Sequence, residues 1–456
     1  MKKVLFLLLI IVVTVSLLAL GIGCKTNAAT STTTAAETTA VETTAEETTA
    51  AEKTLSTEPV TLHIILEQSS GKTNDIYNVI FAEFMKTYPN VTIDAQVYET
   101  SQLGEKIKDA IAAGGPLDGF MESNLDVSWF LENDTVAEID PSILGMTTEE
   151  FVAQWLPGSF ETTATAYKGK IVGVPFNVAN YAGFINKANM VKAGLDPKKD
   201  IPKTWDEARE IAKKMTIVEG GVTKQDGWYQ FPGTAMTDNY ILSSLFQQKG
   251  LDWRSLDGMI AACDTQEAVD ALTMYTDVVT VDKSFDPATY DPQHSPLANG
   301  IASMWFWGGP WIFGLVKTGG GNPDDIMAFP YPRFEGGEDK GGMSYGYGLF
   351  ITKMSKNMDW MMKFYDFWTS RPELLIPVGL YLPRASFDAS VLSDSFKDWD
   401  VFASEISKAT PYILDSRVAE INDAIEKAHS RVIYEGMTPA DTLKQLKSNL
   451  EAIKNQ

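Results

Sequence analysis

The sequence predicts an α/β fold of mostly parallel sheets flanked by helices. Three observations carry that expectation. From Pro59 onward, short β-branched runs alternate with stretches of helical periodicity. The first five such segments read strand, helix, strand, helix, strand, which is the order of a parallel sheet with helices on both faces. The chain has 456 residues, 44% of them hydrophobic. That is material for two or three domains of about 150 residues, each with a sizeable core.

The elements follow in order. Residues 61–66 form a short β-branched run that gives way to the polar loop 67–71. Ile76, Val79, Ile80 and Phe84 share one face of a helix, which Tyr88 and Pro89 stop. Val91, Ile93, Ala95 and Val97 alternate as a strand. Leu103, Ile107 and Ile111 mark a second helix, closed by Gly114 and Gly115, and 117–121 is a third strand. In such sheets the loops at the carboxyl ends of strands form the ligand crevice, here 67–70 and 122–126. A second set begins with a strand over 171–176. Thr204, Trp205, Asp206 and Glu207 make a capping box, and Ala208, Ile211, Ala212 and Met215 face inward on its helix. A buried strand over 301–306 turns at Gly308, Gly309 and Pro310 into a helix near Trp311. Residues 347–352 are a further strand. Two terminal helices close the chain. Val418, Ile421, Ile425, Ala428 and Val432 line one; the other is capped by Thr438 and buries Leu443, Leu446 and Leu450.

The amino terminus reads as an address. Lys2 and Lys3 precede an apolar run, 4–23, that ends at Cys24, the layout of a secretory signal. Leu20, Gly21, Ile22, Gly23 and Cys24 resemble a bacterial lipoprotein cleavage site, which implies that Cys24 becomes the first mature residue and carries lipid. The departure is Gly21, where that pattern has Leu or a similar residue. The alternative is an uncleaved membrane anchor, because about 20 apolar residues also span a bilayer. Both place the rest of the chain outside the cytoplasm. Residues 25–58 are dominated by Thr, Ala and Glu, too little apolar surface to offset ordering entropy. The expectation is therefore a signal over 1–23 and a lipidated Cys24 with a flexible tether to 58.

Composition excludes several functions. Lys and Arg total 38 against 60 Asp and Glu, a formal net charge of −22, which argues against a nucleic-acid binder. With 3 His and 2 Cys, a zinc scaffold or a disulfide framework is ruled out. Cys263, beside Ala261 and Ala262, reads as a buried small hydrophobe. Gly342, Met343, Ser344, Tyr345 and Gly346 match the G-x-S-x-G pattern, with His429 downstream. The serine-hydrolase elbow needs a strand before it and a helix after it; here a glycine-rich loop precedes and a strand follows. A two-carboxylate glycosidase is not singled out by any pair of acids. No phosphate-binding loop, H-E-x-x-H or complete G-x-G-x-x-G is present, so no cofactor and no metal are expected. His63 reads as a core or edge residue and His294 as a solvated loop residue.

The segments 84–91, 167–175, 185–187, 201–207, 302–311 and 382–384 resemble, in order, an extracellular solute-binding protein of a bacterial ABC importer, of the maltose-type sugar-binding family. The resemblance covers nearly the whole mature chain. It implies a two-lobe periplasmic-binding-protein fold whose α/β lobes close over ligand about a hinge, with the chain crossing between lobes near 175–180, 341–346 and 384–387. The first lobe would hold 59–175 and 345–385, the second 176–344 and 386–456. It implies a monomeric binding protein rather than an enzyme. Its partners would be a carbohydrate ligand, the membrane permease and an ATPase on other chains, with membrane attachment through lipid.

Residue chemistry nominates the cleft. A pyranose presents apolar faces that pack on flat rings, and hydroxyls that need paired donors and acceptors. Trp228, Tyr345 and Tyr347 lie beside glycines that clear space around a ring, and Trp307 and Trp311 bracket a Gly-Gly-Pro turn. Trp311 matches a family position that stacks on sugar. Trp305 and Trp205 read as packing residues. Glu67, Gln68, Asn124, Asp126, Asn177, Asp238, Asn239 and Arg384 fall on candidate crevice loops. A polyamine is the rival ligand, held by carboxylates and cation–π contacts; an unpartnered Glu67 or Asp126 would favour it, and pairing with Asn or Arg would favour sugar. An adhesin or sensor subunit on the same fold is the non-transport alternative.

Overall fold

The computed structural model describes residues 54–68, 73–230, 235–289, 296–376, 381–386 and 396–456. The signal, Cys24, most of the tether and His294 lie outside the described residues. The strands, in chain order, are β1 (Val60–Gln68), β2 (Val91–Glu99), β3 (Gly119–Ser123), β4 (Ala166–Tyr167), β5 (Lys170–Ile171), β6 (Gly173–Asn180), β7 (Gly183–Asn186), β8 (Ile217–Glu219), β9 (Val222–Tyr229), β10 (Ala302–Trp305), β11 (Ile326–Phe329) and β12 (Ser344–Ile351). One five-stranded sheet has the order β2-β1-β3-β12-β6 and the other the order β11-β7-β10-β9-β8. Strands β4 and β5 form a separate hairpin.

The expected mostly parallel character holds only for the β2-β1-β3 part of the first sheet. Strand β12 runs antiparallel to both β3 and β6. In the second sheet β9–β10 is parallel and the other three pairings are antiparallel. The reason is connectivity. Parallel neighbours need a crossover of a dozen or so residues. Strand β7 instead enters the second sheet two residues after β6 leaves the first, and β12 arrives from the other lobe, so neither is joined to a sheet neighbour by a crossover of that kind.

Each sheet carries its own core. The first gathers Leu62, Ile64, Ile80, Phe84, Phe120, Phe350 and Trp368. The second gathers Phe184, Trp205, Trp228, Leu245, Trp253, Ile425 and Leu446. The helical faces read from the sequence are the buried ones. Ala208, Ile211, Ala212 and Met215 of helix Trp205–Met215 are inside, and its capping box is formed: Thr204 Oγ1 accepts the Glu207 N–H and the Glu207 carboxylate accepts the Thr204 N–H. This helix lies so close to β9 that a Cβ on Gly227 would stand 1.9 Å from the Ala212 carbonyl oxygen. Thr438 caps helix Pro439–Lys454 as expected.

The sheets also locate the passages between lobes. Strand β6 continues in the first sheet to Asn180, where 177–180 pair with Ser344–Tyr347 of β12, while Val178 lies in the second core. Met343 sits in the second core and Ser344 opens β12. Leu382 lies in the first core, and Phe396 and Trp399 in the second.

Candidate ligand-binding site

Strands β1 and β3 run parallel and end side by side. Their carboxyl ends carry Glu67 and Glu122, and the following turn carries Asp126. Thr100, first residue of helix Thr100–Ala112, donates its hydroxyl to Glu67 Oε1 at 2.5 Å. Ser123 donates its hydroxyl to Asp126 Oδ2 at 3.0 Å. Glu122 is 2% exposed. Its Oε1 accepts the Ser123 N–H at 2.8 Å, and its Oε2 is buried without a partner. Burial, with Asp126 and Glu67 nearby, holds the Glu122 carboxyl well above the usual carboxylate range.

Strand β12 brings Tyr345 and Tyr347 to the same place. They sit two residues apart, hence on one face of the strand, and the Tyr345 hydroxyl donates to the Tyr347 hydroxyl at 3.0 Å. Burial raises both phenols, and the charges of Glu67 and Glu122 act on both in the same direction. Trp311 then stands with its ring centroid 5.7 Å from Tyr345 and 6.1 Å from Tyr181. Trp307 meets Tyr181 at 5.9 Å and stacks on Trp305 at 5.1 Å. Tyr181 contacts Tyr240 at 5.8 Å, and Tyr240 contacts Tyr412 at 5.1 Å. The Tyr240 hydroxyl is buried without a partner. Carboxylates and phenols from one lobe thus face a wall of indole and phenol rings from the other. Such a set can hold the apolar faces of a ring-shaped ligand while accepting hydrogen bonds from its edge.

Of the residues nominated from sequence, Glu67, Asp126, Trp307, Trp311, Tyr345 and Tyr347 come together here. Glu67 and Gln68 are not in a loop but are the last residues of β1. Gln68 accepts from Asn74 at 3.4 Å. Asn124 is spent on β12: its amide donates to the Ser344 carbonyl and its Oδ1 accepts the Gly346 N–H. Asn177 Oδ1 accepts the Tyr347 N–H at 2.9 Å, where β6 and β12 shift register. Trp228 is fully buried, stacked on Trp205 at 5.4 Å and against Phe306 at 4.6 Å; β9 extends past Gly227, which turns this indole into its own lobe. Asp238 is fully buried against His429 and Tyr275. Asn239 donates to Asn422 and Tyr412 and accepts from Trp253. Both Asp238 and Asn239 lie on helix Ala235–Gln248, not on a loop.

Arg384 is 6% exposed. It donates to the Thr369 carbonyl, Gln154, Asp366 and the Thr369 hydroxyl, and stacks over Trp155 at 4.3 Å. A cavity of about 390 Å³ beside it is lined by Arg384, Gln154, Asp366 and Thr369 together with Pro372 and Glu373. It therefore anchors the first lobe rather than lining the cleft. Glu122, Tyr181, Tyr240 and Tyr412 were missed. Glu122 follows the apolar run of β3 and carried the needed signal; the tyrosines carried none.

The alternative chemistries fare as follows. Ser344 is the first residue of β12, and His429 is committed to Asp238, so no hydrolase elbow is assembled. Among the described residues no group of three His, Cys, Asp or Glu is placed to hold a metal ion. His63 is half-buried, 3.0 Å from Asp94. Cys263 is buried and its thiol is pushed up to about 12.

The fold is shared with solved binding proteins. A solute-binding protein of an ABC transporter from Thermotoga lettingae, bound to α-D-tagatose, is 23% identical; the match covers 86% of this chain and 99% of that one, with a TM-score of 0.66. A cyclic α-maltosyl-1,6-maltose binding protein from Arthrobacter globiformis is 17% identical over 87% of this chain and 100% of that one, with a TM-score of 0.73. An ABC substrate-binding protein from Listeria monocytogenes in complex with cycloalternan is 19% identical over 87% and 100%, with a TM-score of 0.69. Residues 70–373 match the model of the bacterial extracellular solute-binding protein family. That span includes every strand but β1 and every residue of the facing walls except Glu67 and Tyr412, and the chain belongs to this family of binding proteins.

Proposed function

We propose that the protein captures a mono- or oligosaccharide between its two lobes and delivers it to the membrane permease of an ABC importer. The observation that carries this reading is the opposition of the Trp307, Trp311 and Tyr181 rings to the Glu67, Glu122, Tyr345 and Tyr347 oxygens. Ligand bridging both walls favours the closed arrangement, because only that arrangement makes both sets of contacts. The closed form is what the permease reads, and ATP is hydrolysed on other chains. A micromolar dissociation constant, about −8 kcal/mol, suits capture followed by release. The protein carries out no reaction on its ligand. It acts outside the cytoplasm as a monomer, tethered through lipid on Cys24. The solved relatives that carry tagatose and cycloalternan support a saccharide ligand.

The test is a thermal-shift screen of residues 54–456 against sugars and polyamines, with the recovered ligand analysed for cleavage. A ligand at about a hundred times its Kd adds about 2.7 kcal/mol of stability. A shift with a set of sugars and no turnover supports the reading. A shift with polyamines alone replaces the ligand class. Turnover of a sugar overturns the binding-protein reading.

A further inference from the structure

Helix Ala235–Gln248 sets the Tyr240 ring between two rings of its own lobe, Tyr181 at 5.8 Å and Tyr412 at 5.1 Å. The Tyr412 hydroxyl is spent: it donates to Asn422 at 2.6 Å and accepts from Asn239 at 3.1 Å. On the opposing wall the Tyr345 hydroxyl donates to Tyr347 at 3.0 Å. The Tyr240 hydroxyl does neither. It is buried, on a residue 3% exposed, with no partner inside the protein. Tyr181 joins this position to the cleft rings, since it contacts both Trp307 and Trp311.

The first lobe reaches the same place. Asn124 is fixed to β12 by two bonds. Leu125 packs against the second core, although the strand it follows, β3, lies in the first sheet. Asp126 comes next, exposed, with the Ser123 hydroxyl on its Oδ2. Its charge bears on the Tyr240, Tyr412 and Tyr345 phenols alike. A phenol whose proton is not placed and a carboxylate that accepts thus stand on opposite sides of the seam between the lobes.

Burial holds the Tyr240 phenol well above its ordinary 10.0, so it keeps its proton and remains a donor. A buried donor without an acceptor is costly until a ligand supplies one. A protonated amine can donate to Asp126 but has no lone pair to accept the Tyr240 proton. A hydroxyl does both at once, donating to the carboxylate and accepting from the phenol. Resting on the saccharide reading, we infer that Tyr240 and Asp126 together read one neutral hydroxyl of the ligand and thereby select a sugar over an amine.

The test measures, by calorimetry on the protein, binding of α-D-tagatose, maltose and cellobiose, with spermidine as the amine probe. For the saccharide that binds, Tyr240→Phe is expected to raise the Kd about tenfold or more. The same change is expected to leave the ligand-free melting midpoint unchanged or raised, because it removes a hydroxyl that no protein group pairs with. Asp126→Ala, at an exposed position, is expected to raise the Kd about threefold or more. The double variant should lose at least about threefold less than the product of the two, because both groups serve one hydroxyl. Losses that multiply in full, or an unchanged Kd in Tyr240→Phe, overturn the inference and leave the saccharide reading standing. A lowered midpoint in Tyr240→Phe assigns the hydroxyl to the protein's own structure and overturns it as well, as does spermidine binding as tightly as the saccharide. Binding of spermidine with no saccharide, or of none of the probes, overturns both.

Discussion

The Glu132 carboxylate accepts the Ser416 backbone N–H at 2.9 Å, linking the two lobes. Helix Ser128–Glu132 buries Phe130 and Leu131 in the first core, whereas Ser416 leads into helix Val418–Glu435, whose Ile421 and Ile425 lie in the second. Next to it, Asp415 grips Arg417 through two bonds of 2.8 Å, which fixes the loop. A bond between lobes contributes to affinity only if closure makes it. Glu132→Ala is therefore expected to raise the Kd for ligand by about two- to tenfold through faster release. Stopped-flow and calorimetry check this; an unchanged Kd would assign the bond to both open and closed forms.

Trp228 and Trp311 separate core from cleft. Trp228→Ala empties a stack with Trp205 and Phe306 and should cost about 3–5 kcal/mol of folding free energy. Trp311 is half-buried against Tyr345 and Tyr181. Trp311→Ala should lower stability far less and weaken ligand binding at least about tenfold. Urea unfolding and calorimetry on both variants decide; the reverse pattern would exchange the two roles.

His429 Nδ1 lies 2.9 Å from Asp238 Oδ2, both groups fully buried, with the imidazole stacked on Tyr275 at 4.8 Å. Burial raises the Asp238 carboxyl and His429 opposes that rise. Replacing one partner leaves the other buried and uncompensated. His429→Leu is expected to destabilise the second lobe by about 3–5 kcal/mol, read as a lower denaturation midpoint. A variant that loses less than about 1 kcal/mol would mean the pair is not charged in the native state.

Asp226, a buried residue of β9, accepts the Thr289 hydroxyl at 2.5 Å and the Asp286 N–H at 2.9 Å. Burial pushes its carboxyl up to about 6 from an ordinary 3.8. The folded state thus binds the proton more tightly than the unfolded one. Its contribution is fully present below pH 3.8 and is lost as pH rises to about 6. At about 1.4 kcal/mol per unit the loss is at most about 3 kcal/mol. Relative to Asp226→Asn, the wild type should lose stability across that window; parallel pH profiles for the two proteins would contradict the assignment.

Legibility followed the range of the interactions. The strands and helices were readable because period and capping are local. Thr204 and Glu207 sit three residues apart, and the box they predict is formed. Glu67 and Asp126 could be nominated because they sit at, or just after, the carboxyl end of a strand, where such sheets form their crevice. Trp228 misled because a glycine before a tryptophan signals an open ring from sequence, while here Gly227 admits the Ala212 backbone. Asn124 and Asn177 misled for a related reason: their partners, Gly346 and Tyr347, are 222 and 170 residues away.

By itself the sequence determined the alternation of elements, the acidic surface, the aromatic supply and the family pattern, because each is written in composition or in neighbours along the chain. The tertiary structure decided which polar groups remain for a ligand. Asn239 and Arg384 turned inward because helix packing brought partners to them, and Glu122 was left with a buried Oε2 because β1, β3 and β12 converge around it without supplying a donor. A hydrogen bond is decided by proximity in space, and that proximity exists only once both sheets have formed.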